Sequence, residues 1–153
     1  MSKRLHLERD LCFVEIIEGE TDSLERQLGE FGLVDRLKEL DVHVRSIEIN
    51  AAGCFVVIDS QDVARLHIAA RPFNLAVRMH EQCGLIVMRG DARSSMLPVL
   101  RDVISMFHRA RLGIVHVSVT GPELSLLVDD DDVAAALVLM ESFNRALTTT
   151  LAA

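Results

Sequence analysis

The chain has 153 residues, half of them hydrophobic, with 23 acidic and 16 basic side chains for a net charge of −7. That balance argues against a nucleic-acid partner, because neutralising phosphates takes clustered Lys and Arg, and six Phe with no Trp or Tyr leave little to stack on bases. No apolar run approaches the roughly 20 residues of a membrane span, and Met1-Ser2-Lys3-Arg4 leads straight into polar sequence with no secretory apolar segment. The expectation is a cytoplasmic protein with no membrane partner, sized for one compact domain or two small ones. Cys12, Cys54 and Cys83 form an odd set without CxxC spacing and read as buried small hydrophobes, not as zinc ligands or a redox pair.

Taken in order, Lys3–Glu8 and Leu11–Glu18 alternate weakly and predict two extended pieces joined by a turn at Arg9-Asp10. Leu33, Val34, Leu37 and Leu40 recur at helical spacing, softened at Gly29 and Gly32, so the firm helix is expected over about 32–40. Val42 to Ile49 alternates as a strand, Asn50-Ala51-Ala52-Gly53 is a hairpin connection, and Cys54-Phe55-Val56-Val57-Ile58 is the next strand. Asp59 and Ser60 are placed to cap a following helix, whose apolar positions run from Val63 through Leu66 and Ala70 towards Phe73 and Val77, with a break at Pro72. Leu85-Ile86-Val87-Met88 begins a second set. A loop to Ser95 leads to a helix with Pro98 in its first turn, then come a strand over Ile114–Thr120, a turn at Gly121-Pro122, a strand over Leu124–Val128, and a helix opened by Asp130-Asp131-Asp132. Thr148 to Leu151 is β-prone and is a candidate eighth strand beside seven others.

The order is β-α-β-β-α twice, and the two halves are alike in wording. Val57-Ile58-Asp59-Ser60-Gln61-Asp62-Val63-Ala64 matches Leu127-Val128-Asp129-Asp130-Asp131-Asp132-Val133-Ala134 at an offset of 70 positions, while His43 and His116 match at 73. The difference suggests a connection three residues shorter in the second copy, with the two histidines at matching strand positions. Self-similarity of this kind settles architecture before any single motif does. The fold class expected is α+β, made of ferredoxin-like βαββαβ units with antiparallel sheets and helices on one face. The expected division is 1–82, including an extra N-terminal strand, and 83–153.

This layout resembles a tandem pair of ACT domains, and in particular the C-terminal regulatory region of aspartokinases. The residues that carry the likeness are Leu112 to Thr120, Leu124 to Asp129 and Val133 to Phe143 in the second copy, with Leu40 to Val44 and Cys54 to Asp59 in the first. The resemblance implies a non-catalytic regulatory protein that forms a homodimer and binds an amino-acid effector of the lysine or threonine class at a domain interface. By the same resemblance Arg93, Ser94 and Ser95 would hold the effector's carboxylate. The backbone at Gly113-Ile114 would hold its ammonium, and His43 and Val44 are the matching positions of the first copy. Leu97 stands where the family's loop glycine lies, Gly113 and His43 stand where it has Asn, and the kinase half is absent.

The residues themselves add little chemistry. Arg89, Asp91, Arg93 and Ser94 surround one loop and read equally as an anion pocket or a solvated loop. The Asp129–Asp132 run reads as helix-dipole stabilisation rather than a calcium loop. The two strand histidines read as satisfied rather than metal-binding, and Met79, Met88, Met96, Met106 and Met140 read as core fillers. No Ser-His-Asp or Cys-His arrangement follows from spacing, so no catalytic residue, metal or cofactor is expected. The competing reading is a structural module that docks a separate partner enzyme without a small ligand.

Overall fold

A computed structural model describes residues 4–17, 32–50, 53–73, 75–91 and 95–150. The strands are β1 (Arg4–Ile17), β2 (Val44–Asn50), β3 (Gly53–Asp59), β4 (Ala76–Arg89), β5 (His116–Thr120) and β6 (Glu123–Asp129). The helices are α1 (32–39), α2 (Val63–Ala70), α3 (Leu97–Ala110) and α4 (Asp130–Thr150), with short 3-10 turns at Ser60–Asp62 and Arg71–Phe73. The strands are ordered β2-β3-β1-β4-β6-β5, and the α+β class is as expected.

The chain divides into two compact units, Asp10–Gln82 and Met1–Arg9 with Cys83–Ala153. In this division the first nine residues group with the portion that begins at Cys83. The reason is packing: Leu5 and Leu7 lie against the core of that half, and Arg9 pairs with Asp130 at 3.3 Å.

In the unit Asp10–Gln82, alternate residues of two strands, Cys12, Val14 and Ile16 with Cys54, Val56 and Ile58, form one apolar sheet face. The helices cover it, α1 through Leu33 and Leu37 and α2 through Leu66, Ala69 and Ala70. Gly32 belongs to α1 and does not interrupt it. A Cβ there would lie 2.4 Å from the Phe73 ring, so the missing side chain is what lets the ring in. In the other unit Ile86 and Met88 with Leu124, Leu126 and Val128 make the equivalent face. Val99, Val103 and Phe107 of α3 and Val133, Ala136 and Met140 of α4 bury it. Gly84 pairs with Val128, and a Cβ at that position would meet Val133 Cγ2 at 2.3 Å.

Several expectations change. The two N-terminal pieces are one strand: Asp10 takes a left-handed backbone (φ 59°) and bends β1 without reversing it. Gln82 does the same in β4 (φ 58°), just before Cys83 enters its ladder opposite Asp129 as Leu11 does opposite Asp59. The helix after Asp59 stops at Ala70, and Val77 lies on β4, which begins nine residues before Leu85. Thr148 to Thr150 extend α4 and do not form a strand, while Leu151 lies outside the described residues. Six strands are therefore present among the described residues, not seven or eight.

The histidine register also changes. Ser46 stands opposite Val57, and His116 stands opposite Leu127, so the repeat partner of His116 is Ser46. Both hairpins span two residues, Asn50 pairing with Gly53 and Thr120 with Glu123, and the 70-position offset holds from Ser46 to Asp59 against His116 to Asp129. The extra residue is a bulge between Val44 and Ser46, and His43 precedes β2 altogether.

Candidate functional site

Of the residues expected to hold an effector, Arg93 and Ser94 lie outside the described residues. Ser95 precedes α3, where its hydroxyl accepts from the Leu97 N–H at 3.4 Å, and Pro98 sits in the first turn as expected. Gly113 and Ile114 follow the other end of the same helix. Its C-cap, Arg111, turns left-handed (φ 57°) to end it, and nothing approaches a Cβ built on Gly113 within 4 Å. A helix of 14 residues is about 21 Å long. Within one unit, then, Ser95 and Gly113-Ile114 stand at opposite ends of α3 and do not converge. Arg89 is not a free cation of that loop, because its guanidinium is bound to Glu123, with Nε at 2.9 Å from the carboxylate.

His43 and Val44 lie in the other unit, and His43 enters a cluster that sequence reasoning missed. Asp59 and Ser60 do not cap a helix; neither the 3-10 turn nor α2 has a side-chain cap bond. Asp59 instead accepts from Arg45 Nε at 2.9 Å. Asp62, only 1% exposed, is the one buried charged residue among those described. Its Oδ2 accepts the His43 backbone N–H at 2.8 Å and lies 3.2 Å from the His43 ring Nδ1, while Oδ1 accepts from Arg65 at 3.0 Å. Arg65 also donates to the Asp41 carbonyl at 3.2 Å. Burial works to raise the Asp62 carboxyl, but the His43 amide and ring and the Arg65 guanidinium outweigh it and hold it below the usual carboxylate range.

Ligand atoms of His43, Asp59 and Asp62 come within 4.8 Å of one another. Yet each carboxylate already holds an arginine. The two negative charges are neutralised, and a divalent cation would have to displace both guanidiniums. The cluster is a clasp that ties the start of β2 to the start of α2. Its only sequence signal was an aspartate three residues beyond Asp59 at a helix start, which reads equally well as a cap.

The three cysteines are free and buried, as expected of small core residues. The Cys12 thiol is pushed up to about 11, by burial first and by the Glu81 carboxylate second. Met88, Met96 and Met140 are core residues at 0–1% exposure, and Met79 and Met106 pack partly buried against the two cores. Two surface cavities lie in the unit Asp10–Gln82. One, of about 350 Å³, is lined by residues including Val34, Leu37, Lys38, Asp41 and Ile47. The other, of about 540 Å³, is lined by His67, Ile68, Ala70, Arg71, Leu75 and Val77.

No family model matches this sequence, and no curated protein matches it. Solved structures do resemble it in fold. The regulatory subunit of aspartate kinase from Thermus flavus superposes with a TM-score of 0.75 at 11% identity, covering 93% of this chain and 98% of that one. A C-terminal regulatory domain of aspartate kinase from Porphyromonas gingivalis gives 0.73 at 12%, covering 92% and 95%. E. coli aspartokinase III, solved in complex with lysine and aspartate, gives 0.65 at 15%, covering 92% of this chain and 32% of the larger enzyme. The chain thus has the fold of aspartokinase regulatory domains over nearly its whole length.

Proposed function

We propose that this chain is a non-catalytic, amino-acid-responsive regulatory module of the ACT type, acting as a homodimer. The observation that carries the reading is the match in extent: the fold of a separate regulatory subunit is covered almost end to end, over 93% of this chain and 98% of that one. The relative solved with lysine and aspartate favours lysine and its class as the effector. Because α3 separates Ser95 from Gly113 and Ile114 within one unit, a shared effector would take its carboxylate contacts from the Arg93–Ser95 loop of one copy. Its ammonium contacts would come from the strand start of another copy, at Gly113-Ile114 or at His43-Val44. Free N–H groups at a helix start suit a carboxylate. Binding there would shift the geometry of paired copies, which is how such a module reports a metabolite level.

Isothermal titration of the chain with the twenty amino acids tests this. A saturable heat with one or a few of them, lost in Ser95→Ala combined with Arg93→Ala, is the expected result. Absence of heat with all twenty rejects the sensing role.

A second reading, a docking module for a separate enzyme, draws on β2. This strand ends the strand order, and its Val44, Ile47 and Ile49 are 37–41% exposed. An edge strand with exposed apolar side chains is a template for strand addition. A stoichiometric partner without small-molecule binding would favour this reading.

A further inference from the structure

We propose that the cavity bounded by α2, the turn Arg71–Phe73 and the start of β4 binds a small aliphatic monocarboxylate, with Arg71 holding the carboxylate. Its volume, about 540 Å³, falls in the range of small-ligand sites. Ile68, Ala70, Leu75 and Val77 supply an aliphatic wall, and Arg71 and His67 are its polar members. Ile68 is 56% exposed, a large apolar side chain left half in water at the rim, and an aliphatic chain laid across it would remove that surface from solvent.

Charge selects the anion. The protein carries 23 acidic side chains against 16 basic ones, yet among the described residues no carboxylate lines this cavity. The smaller cavity beside α1 balances Lys38 with Asp41. The guanidiniums of Arg36, Arg45, Arg65, Arg78, Arg89 and Arg101 are each bound to a carboxylate. That of Arg71 makes no hydrogen bond or ion pair with any described residue. The Arg71 backbone N–H already satisfies the His67 carbonyl at the end of α2, so the side chain is not occupied in ending the helix. A guanidinium presents a planar fork that matches a carboxylate in two parallel bonds, and the His67 ring adds an N–H donor. The described lining offers no acidic group to an α-ammonium. The ligand class is therefore the carboxylate without the amine: a deaminated, branched or straight chain of about four to six carbons, the size the aliphatic wall can cover.

The site contains neither Ser95 nor Gly113, so it stands apart from the effector reading. The experiment is a titration of the whole chain, followed by calorimetry and ligand-observed NMR, with 4-methylpentanoate and with leucine, which differ only by the ammonium. Saturable binding of 4-methylpentanoate, leucine weaker by about tenfold, and a loss of about tenfold in Arg71→Gln with partial recovery in Arg71→Lys are expected. Arg71 is exposed, so both variants should melt like the wild type. A second variant, Ile68→Glu, sets a carboxylate at the rim and should weaken binding while leaving the core untouched. No saturation by about 10 mM, equal binding of leucine, or binding unchanged in Arg71→Gln would each overturn the proposal.

Discussion

Replacing Asp62 by alanine is the sharpest test of the clasp between β2 and α2. The substitution removes one charge-assisted bond to a backbone amide, the His43 N–H at 2.8 Å, worth about 1.5–3 kcal/mol. It also removes the contacts to the His43 ring and to the Arg65 guanidinium, whose side chains are 58% and 51% exposed. Such half-solvated pairs contribute about 0.2–1 kcal/mol each. Both partners can rehydrate, so the larger cost of a stranded buried charge does not arise. The expected loss is about 3 kcal/mol, or a fall in Tm of about 6–12 °C for a chain of this size. Asp62→Asn keeps an acceptor and the shape, and should cost about half as much.

The pH dependence has a definite sign. The carboxyl is held below its ordinary value in the folded state, so its contribution is fully present above about pH 4, the unfolded value. It is lost as pH falls through the lower folded value. Urea unfolding of wild type and Asp62→Asn at pH 7 and at pH 3 reads this directly, and the gap between their midpoints should shrink at pH 3. A loss under about 0.5 kcal/mol for the alanine variant, within the range of ordinary surface substitutions, would refute the reasoning. So would a wild-type to Asp62→Asn gap that does not narrow at low pH.

Gly84→Ala should destabilise by about 1–3 kcal/mol, since its Cβ meets Val133 Cγ2 at 2.3 Å. Gly113→Ala, with open space around it, should stay within about 0.5 kcal/mol, and paired thermal melts decide both. Gln82→Gly relieves a left-handed backbone at φ 58° and should gain about 0.5–1 kcal/mol in urea. The buried thiols should not react with a thiol-specific disulfide reagent at pH 8 until denaturant is added; one fast-reacting equivalent in the native protein would contradict their burial.

The parts of the fold that sequence made legible are those with a strict period. The β3 and β6 runs, the hairpins after Asn50 and Thr120, the acidic start of α4 and Pro98 at the start of α3 were all readable, because pleat, turn and dipole each demand a residue type at a fixed place. The left-handed residue at Gln82 was not, since it leaves no mark when it is neither Gly nor Asn, and the turn read at Arg9-Asp10 is a left-handed residue within one continuous strand. Nor was the bulge beside Val44: one extra residue shifts a register without altering alternation enough to see. Asp62 was hidden for a different reason. Helix-start aspartates are common and mostly solvated, and only the fold reveals one whose carboxylate is turned inward onto a backbone amide. Of the effector residues, sequence supplied the helix start after Ser95, but it could not show that Gly113 lies a full helix length away.

Because residues 4–9 belong with the portion that begins at Cys83, that portion is interrupted in the gene by the 73 residues of the other unit. On the ribosome the inserted unit is complete as soon as Gln82 emerges, while its host still waits for α4. The Arg9 to Asp130 pair closes over 121 positions, a long-range closure of the kind that slows folding. An N-terminal fusion or a trimmed leader would therefore be felt at the far end of the polypeptide, and cutting the gene cleanly in the middle would yield one whole piece and one missing a strand.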